Sequence, residues 1–108
     1  MDEPGSVIDT LVPRVPESGI HSRTLHSSPD AKVVHFAFAA GEELSEHAAS
    51  RPATIQVISG SFELSLAGEL VDAGPGVWVY MERGLAHALR ALEPSTMLLT
   101  LIGPAVRP

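Results

Sequence analysis

The 108-residue sequence contains no cysteine. This absence excludes disulfides, thiolate nucleophiles and sulfur-ligated metals, so any metal ion must be held by nitrogen and oxygen atoms. Basic residues are also few, with 7 Lys and Arg against 13 Asp and Glu, and the formal net charge is -6. Because affinity for nucleic acid comes mostly from Lys and Arg that neutralise phosphates, we expect no nucleic-acid partner.

Long apolar runs are missing as well. The chain begins Met1-Asp2-Glu3-Pro4, which is acidic where a secretory signal is basic and then apolar, and no run approaches membrane-spanning length. We therefore expect a cytoplasmic protein without membrane association. The length and the composition, 44% hydrophobic and 19% charged, are those of one packed globular domain.

The chain divides into an arm and a domain. Residues 1–20 contain Pro4, Pro13 and Pro16, a spacing that blocks a long helix and predicts an extended N-terminal arm. The arm also carries aliphatic residues, so we expect it to dock on its own domain or on a partner subunit. Residues 21–108 are predicted to form that domain.

The domain has the pattern of many short strands. Apolar alternation or β-branched composition, bounded by turn residues, predicts strands near 32–39, 54–59, 62–66, 69–71, 77–81, 86–91 and 96–102. No stretch favours a helix. Trp78 and Tyr80 share one strand face, for which core or interface packing is a better expectation than stacking on a ligand. Short strands at short intervals indicate a β-sandwich or barrel.

Two histidines lie within long spaced patterns. Gly41 is followed after five residues by His47, and Gly60 closes the strand beyond it. Gly76 is followed after five residues by Glu82, and His87 comes four residues after Arg83. These spacings resemble the two motifs of the cupin family. The first family motif has a second His and a Glu between its first His and its last Gly, and the second has a Pro, a His and an Asn.

The resemblance covers most of the chain from residue 22 to residue 101, but four motif positions differ. Ala49 stands at the second His, Ala53 at the Glu, Glu82 at the Pro and Ala91 at the Asn. The resemblance implies an all-β double-stranded β-helix, or jelly-roll barrel, with His47 in the barrel mouth beside the histidine of the second motif. Family members hold a divalent metal there with three His and one Glu, a set that this chain lacks in part.

The candidate pocket is accordingly predicted from His47, Ala49, Ala53, Ile55 and His87. Replacing a His and a Glu with Ala removes charge and bulk, which predicts a largely hydrophobic space that binds a small apolar or acidic molecule. The neighbouring Arg51 either faces solvent or bends over the mouth to pair with a carboxylate of that molecule.

A metal-dependent alternative uses the same two histidines. Two imidazoles alone make a poor centre, so iron, nickel, zinc or manganese would need a third ligand, for which Glu82 and His35 are the candidates. Glu82 precedes the bend that leads to His87, whereas His35 lies on a strand where Phe36 and Phe38 compete for the interior. Ordinary roles, a solvated carboxylate and a packed histidine, are the simpler expectations for both.

The sequence therefore leaves three functional hypotheses open. The protein is a small-molecule-binding cupin of unassigned activity, a metal-dependent dioxygenase or related enzyme, or a structural module with a vestigial pocket. Fold alone does not choose among them. Small cupins are commonly homodimers and twofold dimers are the most frequent soluble assemblies, so a homodimer is expected. His21 and His26 lie in a polar stretch and are expected to be exposed.

Overall fold

The computed structural model describes residues 5–11 and 14–104. This part of the chain forms nine strands: β1 (Ile20–Ser27), β2 (Ala31–Phe38), β3 (Glu43–Ala48), β4 (Ala53–Ser59), β5 (Phe62–Leu66), β6 (Glu69–Ala73), β7 (Trp78–Met81), β8 (Ala86–Ala91) and β9 (Ser95–Ile102). It contains no helix with the length and hydropathy needed to cross a membrane.

The strands form two antiparallel sheets. The larger sheet has the order β1-β2-β9-β4-β7 and the smaller has the order β3-β8-β5-β6. The chain changes sheet at most of its connections, while β1–β2 and β5–β6 are hairpins within one sheet. This topology is a jelly roll, in which two sheets enclose one core. The predicted all-β fold class is confirmed.

Side-chain alternation explains which face of each strand enters the core. On β2, Phe36 and Phe38 point to the interior, and Phe38 packs edge-to-face on Phe62 of the opposite sheet with ring centroids 5.1 Å apart. His35 and Ala37, which alternate with these two phenylalanines, are also buried, on the outer side of the sheet. β2 is thus covered on both faces, as its two-sided apolar sequence predicts. The interior also takes in Ile55, Val57, Leu64, Met81, Leu89 and Met97.

Two strands are poorly signalled in the sequence. β3 is an edge strand whose residues are mostly exposed, and β1 is an edge strand of polar composition. A polar edge strand carries little of the alternation on which sequence prediction depends. β1 begins at Ile20, beside the predicted end of the arm, and residues 5–11 and 14–19 contain no strand. Pro4 and Pro13, which contribute to the arm prediction, lie outside the described residues.

The last glycine of the first motif has a structural role. Gly60 has a φ of +78°, and a Cβ atom there would collide with the side chain of Ser95 and the carbonyl of Pro94. Ser95 is fully buried, and its hydroxyl accepts a hydrogen bond from the Ser61 amide (3.0 Å) while lying 2.7 Å from the Glu93 carbonyl. Both the backbone conformation and the tight space therefore require glycine at this position.

Candidate functional site

A β-bulge brings the two motif histidines together. Leu44 pairs with Leu89 across β3 and β8, but His47 pairs with His87, because β3 contains one extra residue between these two pairs. If β3 paired regularly from Leu44 onward, the residue before His47 would stand opposite His87, and the His47 side chain would point to the other face of the sheet. With it, the two imidazoles meet on the inner side with ring centroids 4.2 Å apart and planes inclined by 59°.

Backbone carbonyls determine the tautomer of both imidazole rings. The Nδ1 atom of His47 lies 2.9 Å from the Ser45 carbonyl oxygen, and that of His87 lies 2.9 Å from the Leu85 carbonyl oxygen. A carbonyl oxygen only accepts hydrogen bonds, so each Nδ1 carries the proton and donates it. In the neutral rings both Nε2 atoms are consequently lone-pair acceptors, and neither has a hydrogen-bond partner within the described part of the chain.

The histidine pair forms one wall of a pocket of about 330 Å³. His87 is buried, with 5% of its surface exposed, whereas His47 is exposed at the rim. The remaining walls are predominantly aliphatic and small, and the complete lining consists of His47, Ala49, Ser50, Arg51, Ala53, His87, Leu99 and Leu101. The two alanines at the altered motif positions thus face this space together with the histidines.

Two hydrogen bonds hold the rim of the pocket. The Arg51 Nη1 donates to the Gly103 carbonyl oxygen at 2.7 Å, which ties the β3–β4 connection to the end of β9. The Gly84 amide donates to the Ala49 carbonyl oxygen at 3.0 Å, which ties the same connection to the bend before His87. Gly84 has a φ of +83°, a conformation that favours glycine. Arg51 therefore lies at the mouth and keeps further N–H groups for a ligand.

The other predicted residues lie elsewhere. Ile55 is 1% exposed and belongs to the core cluster, and it does not line the pocket. Glu82 is exposed in the turn after β7 and does not line the pocket, although its backbone carbonyl accepts a hydrogen bond from the Leu85 amide. Trp78 and Tyr80 are 59% and 49% exposed, so they do not pack in the core.

His35 lies on the outer face of the larger sheet. It alternates with the inward-facing Phe36 and is paired across the hairpin with Arg23, which is exposed. It is 3% exposed, and burial lowers the pKa of its imidazole below the ordinary 6.5, with the Arg23 charge as a second cause. A hydrogen bond with the Thr10 backbone has the opposite effect and raises the pKa of His35. A sheet separates this ring from the histidine pair.

The donor set in the pocket does not fit the metal centre typical of cupins. Within the described residues, no group of three or more His, Cys, Asp or Glu side chains is arranged to hold a metal ion. The two Nε2 lone pairs are oriented by carbonyls as in metal-binding histidines, yet a catalytic centre of this kind normally has three protein ligands. A metal role for His47 and His87, with Glu82 or His35 as third ligand, stays a prediction.

Some lining residues were not singled out from the sequence. Leu99 and Leu101 come from the inner face of β9, where Thr100 between them is the polar residue that signals alternation, while the equally apolar Leu98 weakens that signal. Ser50 has no such signal, because it lies in a connection whose path depends on the hydrogen bonds of Arg51 and Gly84.

Comparisons with known proteins agree with this architecture. No family model and no curated protein matches the sequence. Among solved structures, the chain is similar to a conserved protein of unknown function from Streptococcus pyogenes, with 27% identity, a TM-score of 0.83 and coverage of 97% of this chain and 93% of that one. It is also similar to an RmlC-like cupin protein from Desulfovibrio desulfuricans, with 25% identity, a TM-score of 0.82 and coverage of 94% and 99%.

A third similarity has the highest identity of the three. KdgF from Halomonas sp. is 30% identical, with a TM-score of 0.72, and the match covers 80% of this chain and 79% of that one. The jelly-roll topology, the paired motif histidines and these relatives lead to the same assignment: the chain belongs to the RmlC-like cupins.

Proposed function

We propose that this cupin binds a small organic molecule, partly aliphatic and bearing a hydroxyl or carboxyl group, in the pocket of His47 and His87. The observation that carries the proposal is the paired imidazoles, 4.2 Å apart and each anchored through Nδ1, on the wall of an otherwise aliphatic space. A pocket of about 330 Å³ is at the small end for ligand sites, which favours a metabolite over a larger molecule.

The polar groups define what the ligand presents. In their neutral form the two imidazoles offer acceptors at Nε2, which suit a hydroxyl group or a protonated acid. Arg51 offers donors at the mouth, which suit a carboxylate, and no Asp or Glu lines the pocket to oppose a negative charge. The aliphatic part of the ligand then contacts Ala49, Ala53 and Leu99, where removal of apolar surface from water supplies affinity.

The proposal is tested by thermal denaturation in the presence of small monocarboxylic and hydroxy acids such as butyrate and lactate. A ligand at 100 times its dissociation constant stabilises the folded state by about 2.7 kcal/mol, which shifts the melting temperature by several degrees. Hits are confirmed by calorimetry. If no acid, alcohol or neutral counterpart in such a panel binds, the pocket has no ligand of this class.

Two variants localise the binding. Ala49→Leu fills the pocket without replacing either histidine and is expected to abolish binding, whereas Glu46→Gln changes an exposed residue on the preceding strand β3 and is expected to leave binding unchanged. Equal affinity in Ala49→Leu and the unmodified protein would place the ligand elsewhere.

The metal-dependent alternative is tested by elemental analysis as well as by thermal denaturation. Elemental analysis of the purified protein and melting curves with iron, nickel, zinc or manganese show whether the histidine pair recruits an ion. The anchored Nδ1 atoms are the observation in favour of this alternative, because they orient Nε2 as metal-binding histidines do. Stoichiometric metal that is lost in His87→Ala would favour the dioxygenase-like hypothesis over the metal-free one.

We also propose that the protein forms a homodimer through the outer face of the larger sheet. Trp78 and Tyr80 are exposed there, side by side on β7, and large aromatic side chains are enriched at protein interfaces. Light scattering distinguishes the dimer from a monomer, and Trp78→Lys is expected to dissociate it. Assembly and the cytoplasmic location stay predictions from the sequence.

A further inference from the structure

A second cavity lies on the outer face of the larger sheet, away from the histidine pair. It has a volume of about 170 Å³. It is formed where the N-terminal segment passes over the β1–β2 hairpin, and its lining consists of Arg14, His21, Ser22, Arg23, His35 and Ala37. Four of these six residues are basic or can become so, which distinguishes this cavity from the histidine-pair pocket and from the cavity between β3, β8 and β5.

Strand pairing sets the positions of the basic groups. Arg23 is directly opposite His35, and His21 is directly opposite Ala37, so all four side chains stand on one face of the hairpin. Arg14 approaches from the N-terminal segment. The arrangement is therefore built from two neighbouring strands and a third piece of chain rather than from one flexible loop.

Within the described residues, no carboxylate is paired with the positive charges of this cavity. Among the described residues the ion pair found is Arg90–Glu63, on the other sheet, and neither Arg14 nor Arg23 has a carboxylate partner there. No Asp or Glu lines the cavity. Two guanidinium groups that converge without a counter-charge are a typical arrangement for binding a carboxylate or a phosphate.

His35 supplies an independent sign of a missing partner. It is 3% exposed, and its Nε2 atom is buried without a hydrogen bond. A buried polar atom left without a partner costs about 1–3 kcal/mol, and such atoms are rare in folded proteins. Because this atom has almost no exposed surface, the His35 ring must turn toward the cavity before a group bound there can reach it and remove this cost.

We propose that this cavity binds a small oxyanion, a phosphate or a carboxylate, held between Arg14 and Arg23 and hydrogen-bonded to the protonated Nε2 of His35. The site is separate from the histidine-pair pocket and does not depend on the function proposed for it. Phosphate and carboxylate share the chemistry that the two guanidinium groups recognise, and the experiment below distinguishes them.

Binding of the anion is coupled to uptake of a proton by His35. The ring faces Arg23 and His21 from β1 and Arg14 from the N-terminal segment, and Asp9 is the carboxylate next to Thr10, with its Oδ1 accepting a hydrogen bond from the Leu11 amide (2.9 Å). The β9 residues paired with this part of β2, Leu98 and Met97, carry no charge. Without an anion the surrounding charge is positive, and a bound anion offsets it, so Nε2 can take a proton and donate it.

The experiment is calorimetric titration of the whole protein with inorganic phosphate and, separately, with acetate. We expect binding by at least one of them, tighter at acidic than at neutral pH, with proton uptake revealed by heats that differ between buffers of different ionisation enthalpy. Arg23→Gln is expected to weaken binding roughly tenfold, the loss of one charge-assisted contact. The probe that binds more tightly identifies the class of oxyanion.

Controls separate this site from general attraction of anions. Arg83→Gln removes an exposed charge from the turn before β8 and is expected to retain full affinity for both probes, whereas His47→Ala alters the other pocket and is expected to retain full affinity for phosphate. An NMR shift of the His35 ring protons on titration places the anion at this residue. Failure of both probes to bind, or equal weakening by Arg83→Gln and Arg23→Gln, would overturn the proposal.

Discussion

His87 and His35 are the two buried histidines of this protein, and they differ in almost everything except burial. His87 is 5% exposed and His35 is 3% exposed. His87 donates from Nδ1 to the Leu85 carbonyl, contacts the ring of His47 and lines an aliphatic pocket inside the jelly roll. His35 has a buried Nε2 without a partner and lines a basic cavity on the outer face.

The difference shows that the surroundings of a buried histidine, and not burial itself, decide what it can bind. The Nδ1 anchor prepares His87 to accept a hydrogen bond at Nε2, so its pocket suits a hydroxyl group or an acid. The two arginines beside His35 prepare that cavity for an anion. The following predictions test this contrast, from the largest expected effect to the smallest.

The largest effect is expected from restoring the family ligands in the pocket of His87. The double variant Ala49→His, Ala53→Glu places an imidazole and a carboxylate on the walls that already face the histidine pair. Four ligands complete a metal centre, so nickel, zinc or manganese should raise its stability by about 2.7 kcal/mol or more at 100 times the dissociation constant. Melting curves with each ion measure this.

The matched control is Ala49→Ser, Ala53→Gln, which adds polar bulk without restoring the ligands and is expected to show no metal response. If the unmodified protein already gains as much stability from these ions as the restored variant, the two native histidines suffice. The metal-free interpretation of the pocket would then be wrong.

Replacing His87 and replacing His35 should have different effects on the free energy of unfolding. His87→Ala loses the hydrogen bond to the Leu85 carbonyl and the contact with His47, and we expect it to lower the free energy of unfolding by about 1–3 kcal/mol. His35→Leu replaces a ring with an unsatisfied nitrogen by an apolar side chain, so the change should be near zero or stabilising. Urea denaturation measures both, and equal losses would contradict the contrast.

The pH dependence of stability should also distinguish the two positions. Because burial and Arg23 lower the pKa of His35, the unfolded chain binds more protons than the folded chain between the ordinary value of 6.5 and the folded-state pKa. The free energy of unfolding therefore decreases as the pH falls through this window. We expect His35→Leu to show a smaller decrease below about pH 6.5 than the unmodified protein. Parallel curves for the two proteins would show that another group dominates.

The smallest effect is expected at the rim of the pocket. Arg51→Gln removes the hydrogen bond to the Gly103 carbonyl, and we expect it to cost about 1 kcal/mol while weakening the binding of carboxylate ligands more than that of alcohols. Thermal melts with paired acid and alcohol probes measure the difference. A uniform loss for both probes would indicate that Arg51 only shapes the rim.

The sequence predicts the fold well because the core strands alternate clearly and the two motifs keep their spacing. It also predicts that His47 and His87 meet, and that Ala49 and Ala53 lie beside them, since those positions follow from the motif. Ile55 shows the limit of such reasoning: it lies on the inner face of β4 and pairs with Leu99 of β9, but it packs in the core and does not line the pocket.

The outer cavity was not predicted because its parts have no common pattern. Arg14 lies in an irregular segment, and His21 and Arg23 lie on a polar edge strand. Their meeting with His35 depends on how the chain before β1 crosses the hairpin, a contact between distant parts of a folded molecule. Both His21 and His26 are exposed as expected, yet exposure did not reveal which of them borders a cavity.

The bulge in β3 has an evolutionary consequence. A single-residue deletion between Leu44 and His47 would make the two strands equal in length between their paired residues, so His47 would still stand opposite His87 on the inner face, without a bulge. The bulge therefore accommodates one extra residue while Leu44 and His47 both keep the inner face. A lineage of this chain can gain or lose that residue without separating the two imidazoles.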